Sequence, residues 1–109
     1  MTEDEVLIER IRPLLDGRAG FSEKKMFGGI CFLINGNMCL GTWKGSLIVR
    51  LGKDRHEETL ARPHTQPANI TGRVMTGWAL VEPAGIESEP DLKTWVDEAA
   101  DFAASLPAK

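Results

Sequence analysis

The dipeptide Asn35-Gly36 constrains this chain more than any other feature. It joins two apolar stretches of strand character, Ile30-Cys31-Phe32-Leu33-Ile34 and Asn37-Met38-Cys39-Leu40. A two-residue hairpin loop needs positive φ at both positions, and Asn-Gly meets that need at little steric cost. Lys44-Gly45 is a weaker signal of the same kind, placed before Ser46-Leu47-Ile48-Val49-Arg50. Residues 24–52 therefore read as a three-stranded antiparallel meander, with a first strand over 24–34. Gly28-Gly29 inside that strand is expected to mark a bulge or a close backbone approach.

Two-residue loops fix a register. Ile34 pairs with Asn37, Leu33 with Met38, Phe32 with Cys39 and Cys31 with Leu40. Across the second turn, Thr42 pairs with Leu47, Leu40 with Val49 and Cys39 with Arg50. Because side chains alternate, one face would carry Phe27, Cys31, Leu33, Met38, Leu40, Leu47, Val49 and Leu51. That face is nearly all apolar and is the expected core. The other would carry Ile30, Phe32, Ile34, Asn37, Cys39, Trp43, Ser46, Ile48 and Arg50. Cys31 and Cys39 fall on opposite faces, which excludes a disulfide between them.

The flanks supply helices. Residues 3–16 carry Leu7, Ile11, Leu14 and Leu15 on one stripe, with Thr2 and Glu5 at capping-box spacing and Pro13 marking either a kink or the last turn. Residues 53–62 read as a short helix ended by Pro63, followed by a loop over 63–69. Residues 70–75 and 77–82 read as two strands or one interrupted strand. Ser88 is placed to cap a final helix whose stripe is Leu92, Trp95, Val96, Ala99, Phe102, Ala103 and Leu106. Clustered strands between helices predict an α+β fold in two layers, α-β-β-β-α-β(β)-α. An antiparallel sheet would carry the N- and C-terminal helices on one face, in a single domain over 1–109.

The net charge of −3 argues against strong non-specific nucleic-acid binding, but the charge is uneven along the chain. Residues 18–73 hold nine Lys/Arg and four Asp/Glu, whereas residues 1–17 and 74–109 balance at −3 and −5. Pairing of acidic helices with a basic middle is the simplest account. The alternative is a nucleic-acid or anion surface at Lys24, Lys25, Lys44, Arg50, Lys53 and Arg73, with Trp43 or Phe32 stacking on bases.

No catalytic motif is present, and no catalytic, cofactor-binding or metal-ligating residue is assigned. His56 and His64 lack a third ligand at motif spacing and read as surface histidines. Cys39, opposite Arg50, is the better placed thiol for reactivity, yet both cysteines read as small strand hydrophobes. Glu57-Glu58 and Asp97-Glu98-Asp101 read as solvated helix faces. Gly28-Gly29 precedes a strand, which excludes a phosphate-binding loop. If an enzyme is hidden here, His64, Cys39 and Glu82 are the first places to look. Ile30, Phe32, Trp43 and Ile48 would form a contiguous apolar patch on the outer sheet face, a surface for self-association unless residues 63–82 cover it.

Lys25-Met26-Phe27-Gly28-Gly29, Phe32, Asn35-Gly36-Asn37-Met38 and Leu47-Ile48-Val49-Arg50 resemble the TfoX N-terminal domain family (TfoX/Sxy-like). Gly72-Arg73-Val74-Met75-Thr76-Gly77-Trp78 and Leu92…Trp95-Val96 look like its later blocks. The resemblance spans about residues 5–106 and implies an antiparallel sheet with flanking helices, similar to the secretion-chaperone-like fold. It also implies a regulatory association, since two-domain TfoX/Sxy proteins promote competence gene expression, and it carries over no catalytic residues. This chain reads as a single-domain member. The expectation is a non-enzymatic, cytoplasmic domain without a cofactor. It would act on a second copy of itself (a homodimer) or on another protein, away from membranes. The acidic start, Met-Thr-Glu-Asp-Glu, does not resemble a secretory leader.

Overall fold

A computed structural model describes residues 3–26, 29–69, 72 and 74–108. The expected Thr2 cap, Phe27, Gly28 and Arg73 lie outside the described residues. The elements are α1 (Glu3–Leu15), β1 (Phe21–Met26), β2 (Gly29–Ile34), β3 (Asn37–Trp43) and β4 (Ser46–Arg50). They are followed by a 3-10 turn at Lys53–Arg55, α2 (His56–Leu60), β5 (Thr65–Pro67), β6 (Trp78–Val81), a 3-10 turn at Pro83–Gly85 and α3 (Glu89–Ser105). The strands make one six-stranded antiparallel sheet in the order β1-β2-β3-β4-β6-β5. The fold is α+β, with α1 and α3 packed together over one face of the sheet.

Both tight turns form as the sequence predicts. Asn35 and Gly36 have φ of 54° and 81°, and Lys44 and Gly45 have 49° and 83°. The second turn also fixes the first helix, because the Gly45 N–H donates to Asp4 Oδ1 at 2.6 Å. Ser88 caps α3 by accepting the Asp91 N–H at 3.2 Å. Along α1 the buried stripe is Leu7, Ile8, Ile11 and Leu15, with Leu14 packed at its margin. On α3 it is Leu92, Trp95, Val96, Ala99, Ala100 and Ala103.

Three sequence expectations are corrected. The predicted strand 24–34 is two strands, since Met26 pairs antiparallel with Gly29 and Phe21 with Ile34. The predicted loop 63–69 contains β5, whose three residues are too short for alternation to reveal. Its Pro67 is tolerated because β5 is an edge.

The third correction is the register of β2 on β3. Ile34↔Asn37 and Leu33↔Met38 pair as expected, but the next partners are Phe32↔Leu40 and Cys31↔Gly41. One extra residue, Cys39, is accommodated on β3 as a bulge. The whole of β2, and Asn37 and Met38 with it, changes sides relative to the simple register. Phe32, Ile34, Cys39 and Leu40 belong to the helix-covered core, together with Leu47, Val49 and Leu51. Phe32 is 0% exposed and stacks on Phe21 with ring centroids 6.0 Å apart. Leu33 and Met38, expected in the core, are half-buried, and alternation puts them on the far face. Asn37, expected on that far face, is buried, and its Nδ2 donates to the Pro107 carbonyl at 2.9 Å. This bond ties the first hairpin to the chain just beyond α3.

The cysteines remain on opposite faces, with their assignments exchanged, and both are free thiols. The β3–β4 pairing runs from Trp43↔Ser46 to Leu40↔Val49 and does not include the expected Cys39–Arg50 pair. Burial pushes the Cys31 thiol up to about 11 and the Cys39 thiol up to about 12. Neither is a thiolate near neutral pH. A disulfide-exchange reagent is expected to label neither thiol in the native protein and both after denaturation. Rapid native labelling of Cys39 would contradict its core position. The register has a separate test: Phe32→Ala is expected to cost about 3–5 kcal/mol in denaturant unfolding, as for a fully buried aromatic. A loss below about 1 kcal/mol would fit an outward-facing Phe32 instead.

Candidate functional site

The α3 helix decides where charge is left over. Its outer side presents Asp97, Glu98 and Asp101, which are paired rather than simply solvated. Arg18 contacts Asp101 at 2.8 Å and Asp97 at 3.4 Å. Glu98 Oε1 accepts from Arg55 at 2.8 Å. Arg62 Nη1 lies 2.8 Å from Glu98 Oε2 as an ion pair with poor hydrogen-bond alignment, and the Arg62 guanidinium stacks on Trp95 at 3.6 Å. Arg10 and Arg12 pair with Glu89 and Glu23. Three of the nine basic residues of the middle, Arg18, Arg55 and Arg62, are thus paired with carboxylates of α3.

Among the described residues, Lys24, Lys25, Lys44, Arg50 and Lys53 take part in no ion pair. They do not converge. Lys24 and Lys25 are exposed on β1, three strands from β4, or about 14 Å across the sheet. Lys44 sits in the turn before β4, its ammonium 5.1 Å from the Trp43 ring. Arg50 and Lys53 lie at the other end of β4, about 13 Å away. Arg73 is outside the described residues.

Arg50 and Lys53 instead share a cleft of about 560 Å³ with Leu51, Gly52, Asp54, Arg55, Thr76, Gly77, Trp78 and Phe102. Two backbone segments build it. The Leu51 and Gly52 N–H groups both donate to the Gly77 carbonyl, at 3.0 and 3.2 Å. The Gly77 N–H donates to His56 Nδ1 at 3.1 Å, so His56 is a latch between α2 and this loop. A Cβ on Gly77 would stand 3.0 Å from Gly52 C and Lys53 N, and one on Gly52 would meet the Phe102 ring at 2.6 Å. Both glycines also have positive φ, 100° at Gly52 and 90° at Gly77. The Arg50 guanidinium stands 5.6 Å from the rings of both Trp78 and Phe102. Sequence reasoning included Arg50 and Lys53 but missed Trp78 and Phe102. Phe102 reads as a core position on its stripe, yet it is half-buried and turns to the cleft.

The apolar residues assigned to the outer face do not share one. Phe32 is in the helix-side core and Ile30 packs against that core. Ile48 is 0% exposed and pairs with Gly41 and Leu80 on the opposite face, beside Cys31. Trp43 is half-buried on that same far face, opposite Ser46. Alternation adds half-buried Leu33, Met38 and Leu80 to this face. β5 and β6 extend the sheet sideways beyond β4.

Of the other titratable candidates, Cys39 is in the core and His64 is exposed. His64 meets Glu82 through the backbone, its carbonyl accepting the Glu82 N–H at 2.8 Å. Among the described residues, no group of three or more His, Cys, Asp or Glu could hold a metal ion, and no helix is long and apolar enough to cross a membrane.

The architecture defines a small α+β domain, one antiparallel sheet backed by two helices, with a cationic cleft at one end of its central strand. The family comparison gives it a place: the sequence profile of the TfoX N-terminal domain matches residues 13–103. The chain belongs to the TfoX N-terminal domain family. No curated protein matches it.

The ion pairs on α3 predict a pH response. Hydrogen bonds from Lys93 and then Arg18 hold the Asp97 carboxyl below its usual range. At Glu98 burial pushes the carboxyl up, but the Arg55 and Arg62 contacts outweigh it and the net shift is downward. Carboxylates depressed in the folded state stabilise it above their unfolded values. That contribution is lost as pH falls through the folded values. Stability is therefore expected to decline as pH drops below about 4.5, the ordinary Glu value. Glu98→Gln should lower stability at neutral pH and flatten the acid limb. An unchanged acid limb in this variant, followed by denaturant titration, would remove Glu98 from the account.

Proposed function

We propose that this domain is a non-enzymatic, cytoplasmic association module of the TfoX type. In this reading it pairs with a second copy of itself and acts in the regulation of gene expression, including competence. The observation that carries the association is the half-buried apolar set Leu33, Met38, Trp43 and Leu80 on the sheet face opposite the helices. Such a set is an economical surface for face-on pairing. Edge-on pairing has less support. The β1 edge carries exposed Ser22, Glu23, Lys24 and Lys25, and β5 is three residues long with Pro67, both features that discourage strand addition. The regulatory part rests on family membership and on the competence role of two-domain TfoX/Sxy proteins. A nucleic-acid role for residues 18–73 is less supported, because the unpaired basic side chains are dispersed.

Light scattering on the purified protein tests the association. The expected mass is that of a dimer of the 12.0 kDa chain, and Met38→Glu or Trp43→Ser should return it to the monomer without loss of the native circular dichroism. A strictly monomeric wild type, or a dimer indifferent to both substitutions, would defeat this reading.

A further inference from the structure

We infer that the cleft at the end of β4 is a binding site for a small organic anion, an aromatic carboxylate or aryl phosphate in chemical class. Its charge would lie on Arg50 and Lys53 and its ring against Trp78 and Phe102. Three independent features converge on this. The first is the state of Arg50. Arg10, Arg12, Arg18, Arg55 and Arg62 each have a carboxylate partner, and Arg50 has none among the described residues. Its one hydrogen bond there is to the Met38 carbonyl, at 3.4 Å. A guanidinium has five donors, and a half-buried cation without a counter-ion carries a desolvation cost that an incoming anion relieves.

The second feature is the lining. Trp78 and Phe102 flank the guanidinium and offer flat apolar surface beside positive charge. This is the combination that holds a ring with an acidic substituent. Lys53 is exposed at the rim and adds a mobile cation. Asp54 is also in the lining, and it disfavours a second anionic group while accepting a ligand hydroxyl or amine. Arg55 contributes little charge here because Glu98 and Glu58 engage it.

The third feature is size and preformation. A volume of about 560 Å³ lies within the range of small-molecule sites. A nucleic-acid strand would need a continuous cationic track, and the other unpaired lysines are elsewhere on the sheet. The walls are held by the Leu51 and Gly52 bonds to Gly77 and by the His56 latch, so the site exists before a ligand arrives.

The test is a nuclear magnetic resonance titration of the full chain with benzoate, phenyl phosphate and the neutral benzamide at constant ionic strength. One or both anions are expected to give saturating amide shifts confined to residues 50–55 and 76–78, and the tighter of the two identifies the preferred head group. Benzamide should bind at least about tenfold more weakly. Arg50→Gln and Lys53→Gln should each weaken the anions several-fold, while Lys44→Gln, at the far end of β4, should not. Lys53 is exposed, so its substitution carries the test even if Arg50→Gln perturbs the fold. Benzamide binding as tightly as the anions would overturn the inference. So would equal losses from Lys44→Gln and Lys53→Gln, or no saturation with either anion.

Discussion

Burial of one sheet face beneath α1 and α3 organises this molecule, and the bulge at Cys39 decides which side chains that face contains. A strand pair with no bulge would turn Phe32 to the side away from the helices. With one extra residue on β3, Phe32 and Leu40 are partners under the helices, and Cys39 joins them in the core. Phe32 is among the largest fully buried side chains in the domain. The free energy gained by hiding an aromatic ring, on the order of 3 kcal/mol or more, exceeds what one disrupted ladder hydrogen bond would return. The bulge is therefore the lower-energy solution once both helices are in place. Asn37 shows the same coupling, since its buried amide donates to the carbonyl of Pro107, far along the sequence.

The electrostatics follow from α3. Its inner stripe packs on the sheet, and its outer carboxylates collect Arg18, Arg55 and Arg62 from three separate segments. These pairs are partly exposed, so each is worth little by itself. Their larger consequence is selection. By engaging nearby cations they leave Arg50 and Lys53 as the unpaired charges at one end of β4. Phe102, on the same helix, supplies one wall of the cleft that holds them.

That cleft is also a product of backbone contacts. Gly52 and Gly77 permit segments remote in sequence to approach closely, and either Cβ would strike backbone or ring atoms. His56 completes the junction with a hydrogen bond to the Gly77 N–H. A residue read as an ordinary surface histidine thus has a structural role that its sequence neighbours did not reveal.

By itself the sequence determined the secondary structure wherever a local rule governs it. Asn35-Gly36 and Lys44-Gly45 demanded positive φ, Ser88 capped α3, and helical spacing on α1 and α3 marked the stripes that meet the sheet. The register of β3 on β4 was also legible, because that hairpin has no insertion. Tertiary structure alone decided the bulge, the side of the sheet taken by Phe32, Asn37 and Met38, and the edge strand β5. A bulge lowers the energy only through contacts with helices far away in the chain, and three residues cannot display a period. It likewise decided the candidate site. Arg50 and Lys53 could be singled out by charge, but their lack of an ion-pair partner among the described residues, and their meeting with Trp78 and Phe102, exist only after the sheet and α3 close around them.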